Sequence, residues 1–217
     1  NAVVDFNQRH KTSCNHSATH LLHQALRSVL GEHVQQKGSM IHSGMFRFDF
    51  SHYAKLSDEE IAAVEQFVNA RIKEQIPCQE SIGVPYEKAI SSGAIALFGE
   101  KYGDTVRTIR FGQSLELCGG THIKNTSDIW HFKISSESAV AAGIRRIEAI
   151  TGEAALIYFE QKSQVFDEVN NLLKNPQNPF KAVKQILAEN NSLKKELNKL
   201  KKLKSKILVD EIKLEIE

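Results

Sequence analysis

The stretch Asn15–Leu26, NHSATHLLHQAL, places His16 and His20 four residues apart, and the later phrase LCGGTHI, Leu117–Ile123, places Cys118 and His122 at the same interval. On a helix each residue advances about 100°, so His16 and His20 lie about 40° apart in projection and roughly 6 Å apart along the axis. Paired histidines on metalloprotease helices chelate an ion from that spacing. Thr19, His23 and Arg27 fall on the same polar side, while Ala18, Leu22, Ala25 and Val29 form the opposite stripe, so the histidines are expected to face a cleft and not the core. His23 sits about 10 Å from His16 along the axis, too far to share one ion with it. Gly119 and Gly120 free the second phrase to fold tightly, letting Cys118 and His122 face a common ion. Three nitrogens and one sulfur suit zinc, whereas calcium and magnesium take oxygen ligands. Intervals of four also arise by chance among nine histidines. A purely structural zinc would use the same donors as a catalytic one, and both readings stay open.

Composition narrows the setting. Hydrophobic residues at 41% and charged residues at 25% are ordinary for a soluble globular chain, and 217 residues suffice for one domain plus an extension. No apolar run approaches the length of a membrane span, and the first residues lack the pattern of a secretory leader. Three cysteines, Cys14, Cys78 and Cys118, offer no disulfide framework, which favours a reducing, cytoplasmic environment. A net charge of +2 decides nothing about nucleic acid, because binding depends on where lysines and arginines cluster. Asn1 in place of methionine is expected of a piece excised from a longer chain.

These residues need elements to hold them. Asn15 is expected to cap a helix that runs to Leu30 and stops at Gly31. MFRFDF alternates Phe46, Phe48 and Phe50 with Arg47 and Asp49, the period of a half-buried strand. Ser57 and Glu60 form a capping box for a helix through Glu74, with Ile61, Val64, Phe67, Val68 and Ile72 at helical spacing. TVRTIRF, IWHFKIS and GIRRIEAI read as further strands. Helices and strands are grouped and do not strictly alternate, which predicts an α+β domain over residues 1–152, two-layered, with a mainly antiparallel sheet. Residues 153–217 read as a helical hairpin, one helix to Leu173, a break at Asn175–Pro179, and a second helix to Lys206. Ile186, Leu193, Leu200 and Ile207 recur every seven residues. Counted as a positions of a coiled coil, they leave Glu189, Glu196, Leu203 and Asp210 at d, which favours an intramolecular hairpin or a weak homodimer arm over a strong zipper. The closing DEIKLEIE fits either a helix or an alternating strand.

The phrases NHSATHLLHQALRSVLGEHVQQKGSMI, FRFDFSH, GAIALFGEKYGDTVR, ELCGGTHI and SESAVAAGIRRIEAITGEAA, in this order over nearly all of Val3 to Ala155, closely resemble the editing region of alanyl-tRNA synthetases. The following helices resemble the start of the linker to that family's C-terminal domain. Free-standing editing proteins and the second domain of threonyl-tRNA synthetases share the two histidine phrases but fit GEKYGD and the lysine-rich tail less well. The resemblance implies hydrolysis of the ester joining a wrong amino acid, serine or glycine, to the 3′ acceptor end of alanine tRNA. It implies a zinc ion on His16, His20, Cys118 and His122, with Gln36 in the editing pocket and Thr19 as the hydroxyl that meets a serine side chain; Gln36, Thr19 and Cys118 are thereby the candidate catalytic group. The aminoacylation domain and its motifs are not within these residues, so discharge of tRNA is expected and charging is not.

An aminoacyl ester is already activated, and the main demands are to place a water and to stabilise the developing oxyanion. Zinc lowers the pKa of a bound water or polarises a carbonyl, yet four protein ligands fill a tetrahedral site. Either Cys118 is loosely held, or the ion expands its coordination, or it only shapes the pocket. Serine and alanine differ by a hydroxyl, which a site built to hydrogen-bond it discriminates strongly. Thr19 suits that task, unless its hydroxyl bonds its own backbone; Gln36 would otherwise be an ordinary surface residue. Lys37, Arg47, Arg145 and Arg146, with Lys101, Arg107 and Arg110, are candidates for phosphate contacts, set against the alternative of a solvated charged face. Lys194–Lys206 is open to the same two readings. Glu100, Asp104 and Glu116 are conceivable bases that no spacing puts near the metal, and Cys14 and Cys78 read as structural. A zinc-stabilised RNA-binding or dimerisation module without hydrolysis is the competing, non-enzymatic reading.

Overall fold

The computed structural model describes residues 2–96, 101–174 and 176–216. Glu100, part of the GAIALFGEKYGD phrase, and Asn175 lie outside the described residues. In chain order the elements are α1 (Phe6–Leu30), β1 (Gln36–Ile41), β2 (Phe46–Ser51), α2 (Asp58–Lys73), β3 (Cys78–Pro85), α3 (Tyr86–Ser91), β4 (Thr105–Phe111), β5 (Ser114–Leu117), a 3-10 turn (Thr126–Ile129), β6 (Phe132–Ala141), β7 (Ile144–Thr151), α4 (Gly152–Leu172) and α5 (Pro179–Ile216). The fold is α+β, with two antiparallel sheets ordered β1-β2-β7-β6 and β3-β4-β5. Contacts divide the chain into two units, Asn1–Phe159 and Glu160–Glu217.

Alternation in β2 works as its residues dictate. Phe46, Phe48 and Phe50 are fully buried against α1, in the same core cluster as the apolar face of α2, while Arg47 and Asp49 stand on the other face beside Glu148 and Arg146 of β7. The capping box of α2 forms, with Glu60 N–H donating to Ser57 Oγ and Ser57 N–H to Glu60 Oε2. Val64, Val68 and Ile72 turn into the core. IWHFKIS becomes strand only from Phe132, because Ile129 closes the 3-10 turn and Trp130 adopts φ 62°.

Two expectations about α1 are corrected. The helix begins at Phe6, with Asp5 as its cap accepting from Asn7 and Gln8 N–H groups, so Asn15 lies in mid-helix. Asn15 is buried, and its side chain works over long range: Nδ2 donates to the His42 carbonyl at 2.7 Å and Oδ1 accepts from Thr151 Oγ1 at 2.7 Å. The polar turns before it carry no apolar periodicity, which is why the pattern starts late. Nor do the histidines face an open cleft. From Ser13 to Leu26 every residue except His16 and Gln24 is buried, because α1 meets β1, β2 and β7 of one sheet and also β5 of the other. Its polar side therefore forms an interior seam.

In the second unit, α5 continues past Lys206 through the described part of DEIKLEIE, to Ile216, as helix and not strand. Val183, Ile186, Leu193, Leu197, Leu200 and Ile207 are exposed along it. Counting Ile186, Leu193, Leu200 and Ile207 as d positions brings Val183, Asn190, Leu197 and Lys204 to a, a better seam than the converse register. Among the described residues no helix is long and apolar enough to cross a membrane.

Loss of a buried partner costs more than loss of an exposed cap. Asn15→Ala strands the His42 carbonyl and the Thr151 hydroxyl and should destabilise the chain by about 2–4 kcal/mol, against about 1 kcal/mol for Asp5→Ala. Urea denaturation of the two variants measures the difference, and equal losses would mean that Asn15 acts only locally.

Candidate metal centre

The two histidine phrases meet. α1 carries His16 and His20, the loop after β5 carries Cys118 and His122, and the ligand atoms of all four lie within 4.8 Å of one another. Cys118 Sγ is 3.4 Å from His16 Nε2 and 3.2 Å from His122 Nε2. The rings of His16 and His20 stand 4.2 and 4.6 Å from that of His122, centre to centre. His23 is not part of this group.

Backbone geometry makes the approach feasible. A Cβ on Gly120 would fall 2.0 Å from His16 Cε1, whereas one on Gly119 would meet nothing within 4 Å. Only the second glycine of the pair is demanded by the close approach of the loop to the ring. Arg107 then fixes the loop, donating from one guanidinium nitrogen to the carbonyls of Cys118, at 2.9 Å, and Gly120, at 2.6 Å, while its Nε pairs with Glu80. A residue expected among the phosphate contacts is thus committed to bracing the ligand loop.

Each imidazole also has an oxygen partner behind it. His122 Nδ1 is 3.0 Å from Ser17 Oγ, which accepts the Ile123 N–H as well. The backbone of Thr121 meets His16. The carboxylate of Glu116, buried at the end of β5, lies 3.2 Å from His20 Nδ1. Such partners fix ring orientation and raise ligand basicity in metal sites. Burial pushes the pKa of His16 down to about 4 and that of His122 to about 2, and lowers that of His20; the neighbouring imidazoles add to this at His16 and His122. The three rings are neutral at physiological pH, the form that binds a cation. Burial would raise Glu116, but the adjoining His20 and His23 imidazoles outweigh it and keep the carboxylate ionised. Cys14 is driven the other way, up to about 11, by burial, and stays an inert thiol.

The remaining candidates are dispersed. Thr19 is buried and its hydroxyl donates to the His16 carbonyl at 2.7 Å. Gln36, at the start of β1, borders a cavity of about 190 Å3 together with His23, Arg27, Val34, Ile95 and Ala96; Thr19 does not border it. Arg146 forms a two-pronged pair with Asp49, Arg145 pairs with Glu137, Arg47 lies 3.9 Å from Asp49, and Lys37 donates to Gln35. These cations are therefore partnered within the chain, in and beside the four-stranded sheet. Asp104 is exposed, with its carbonyl bonded to Tyr86 N–H. Glu116, conceivable as a base but placed near the cluster by no spacing, is brought against His20 and His23, while Ser17 was not legible as a site residue although it adjoins His16.

Comparison with known proteins identifies the relatives of this chain. Residues 106–148 match the family model described as the threonyl and alanyl tRNA synthetase second additional domain. The chain is 59% identical over 216 residues to an alanine–tRNA ligase of Christiangramia forsetii, covering all of this chain and 25% of the relative. An alanine–tRNA ligase of Flavobacterium psychrophilum is 53% identical over 206 residues, 95% of this chain and 23% of that protein. One from Cytophaga hutchinsonii is 47% identical over 216 residues, 99% of this chain and 25% of the relative. The chain thus spans about a quarter of the length of the curated relatives it matches.

A methyl group at Gly120 has no room beside His16. Gly120→Ala should displace that ring and lower zinc affinity by at least about 100-fold, the upper end of second-shell losses, whereas Gly119→Ala should leave affinity unchanged. Competition with a chromophoric chelator measures both, and equal affinities would show that the loop has another way to seat the ring.

Proposed function

From a chain that belongs along its whole length to the alanine–tRNA ligase family, we propose an editing deacylase: a zinc-dependent site, on residues 1–152, that hydrolyses seryl or glycyl esters on the acceptor end of alanine tRNA. The observation that carries the reading is the convergence of His16, His20, Cys118 and His122 into one cluster of neutral imidazoles and a thiol. The donor set fits zinc, and the loop that delivers two of the ligands is shaped for it by Gly120. When bound, zinc would supply Lewis acidity toward a water or an ester carbonyl.

The chain's own residues do the rest. Arg107 holds the Cys118–Gly120 carbonyls so that the ligand loop need not reorganise during turnover. Gln36 borders the cavity, its Nε2 donating to Ser39 Oγ at 3.1 Å and its amide oxygen left to meet a ligand in this reading. Thr19 retains hydroxyl lone pairs after donating to His16, and these can accept from a serine hydroxyl that alanine lacks. The three cysteines are free, in keeping with a cytoplasmic protein. In this reading residues 153–217 form a helical linker to a further domain. The exposed α5 seam, with Asn190 and Lys204 at a, suits a weak homodimer. Sedimentation velocity over a wide concentration range should show reversible dimerisation, and a monomer throughout would remove that part of the proposal.

One observation favours a second reading. Four protein ligands and a Thr19 hydroxyl already bonded to its own helix are what a structural zinc in an RNA-binding module would also show. The test is release of amino acid from seryl-tRNA and alanyl-tRNA bearing the alanine acceptor stem, with the intact chain, Cys118→Ala and Thr19→Val. The editing reading expects serine to be released at least about 100-fold faster than alanine, the difference shrinking in Thr19→Val and vanishing in Cys118→Ala. No release by a zinc-loaded, folded chain would instead support the structural ion.

A further inference from the structure

Glu116 touches two histidines of α1 at once. Its Oε1 lies 2.9 Å from His23 Nδ1 and its Oε2 3.2 Å from His20 Nδ1, and all three side chains are at most 5% exposed. A carboxylate only accepts hydrogen bonds, so each Nδ1 carries a proton, and in a neutral imidazole so oriented Nε2 is the lone pair. The His23 contact is a well-formed hydrogen bond. The His20 contact is too bent to be one, but a bare Nδ1 so close to a carboxylate oxygen would set lone pair against lone pair. For His20 the result is an Nε2 free to bind a cation in the cluster it shares with Cys118 and His122.

For His23 the result is different. Its Nε2 is buried and has no hydrogen-bond partner among the described residues, yet the ring borders the cavity of about 190 Å3 that Gln36 also lines. Arg27 and Gln36, which also line it, have partners of their own: Arg27 donates to the Glu32 and Val34 carbonyls, and the Gln36 amide nitrogen donates to Ser39 Oγ. Val34, Ile95 and Ala96 supply apolar wall. A buried acceptor without a partner, at the edge of a cavity, is a cost that a ligand can remove.

We infer that Glu116 is a positioning residue that sets two tautomers together, aiming His20 Nε2 at the metal and His23 Nε2 into the cavity, where it accepts a hydrogen bond from a hydroxyl or amine of the bound aminoacyl nucleoside. The inference rests on the zinc-dependent deacylase reading and adds to it a ligand contact that no metal-binding pattern contains. The buried carboxylate ties that contact to the ion: a change at Glu116 disturbs both, and a change at His23 disturbs only the ligand.

The first measurement needs no variant. Long-range proton–nitrogen correlation on the histidine-labelled chain reports which ring nitrogen holds the proton, and both His20 and His23 should be protonated at Nδ1. His23 protonated at Nε2 would overturn the inference. Glu116→Gln should then lower zinc affinity by about 10- to 100-fold, as loss of such a partner does elsewhere, and shift the visible spectrum of the cobalt-loaded chain. His23→Asn should leave zinc affinity and the cobalt spectrum as they are and raise KM for seryl-tRNA more than it lowers kcat. Zinc bound equally tightly by wild type and Glu116→Gln overturns this inference alone. A wild-type chain that takes up no zinc overturns the metal reading, and this inference with it. Should Glu116→Gln fail to fold, the wild-type tautomers and His23→Asn still decide.

Discussion

A helix buried on nearly every side while carrying Asn15, Ser17, Thr19, His20 and His23 must find each of these a partner, since an unpaired polar group in the interior costs as much as a core cavity. That requirement organises the first unit. Asn15 takes the His42 carbonyl and Thr151, Ser17 takes His122 and Ile123, and His20 and His23 share Glu116. The second sheet is therefore more than a lid: β5 and its loop deliver the carboxylate and the two remaining ligands that the polar side of α1 needs.

The same pairing prepares the cluster electrostatically. Burial holds His16, His20 and His122 neutral, and Glu116 stays ionised because imidazole N–H groups face it. Arg107 spends its charge on loop carbonyls, close enough to disfavour protonation of the three rings further. An ion entering such a place meets donors that need shed no proton except the thiol's, and a loop that has little left to rearrange.

Cations on the four-stranded sheet tell a more modest story. Arg145 and Arg146 are held by Glu137 and Asp49, with Arg47 3.9 Å from the same Asp49, so engaging a phosphate there means trading one anion for another. The gain from such an exchange is small and screened by salt. In the proposed deacylase, recognition of the acceptor end would accordingly fall more heavily on the cavity beside Gln36 than on a basic surface.

Spacing and residue type alone pointed to the four residues that converge, His16, His20, Cys118 and His122, and to the Phe46–Phe50 strand, the Ser57 capping box and the α+β class, because each is written in periods of two to four residues that local geometry enforces. Resemblance added the chemistry that such a cluster would serve. Tertiary structure decided what those periods do not encode. Asn15 looks like a cap, since its type suits one, but Asp5 is the cap, because the helix is prolonged by polar turns that leave no apolar pattern. One apolar stripe on α1 predicts histidines facing a cleft, and only the arrival of β5 covers the polar side as well. Glu116 is two residues before Cys118 in sequence yet acts on His20 and His23, more than ninety positions away. A contact of that kind depends on how two sheets close around one helix, and no local period records it.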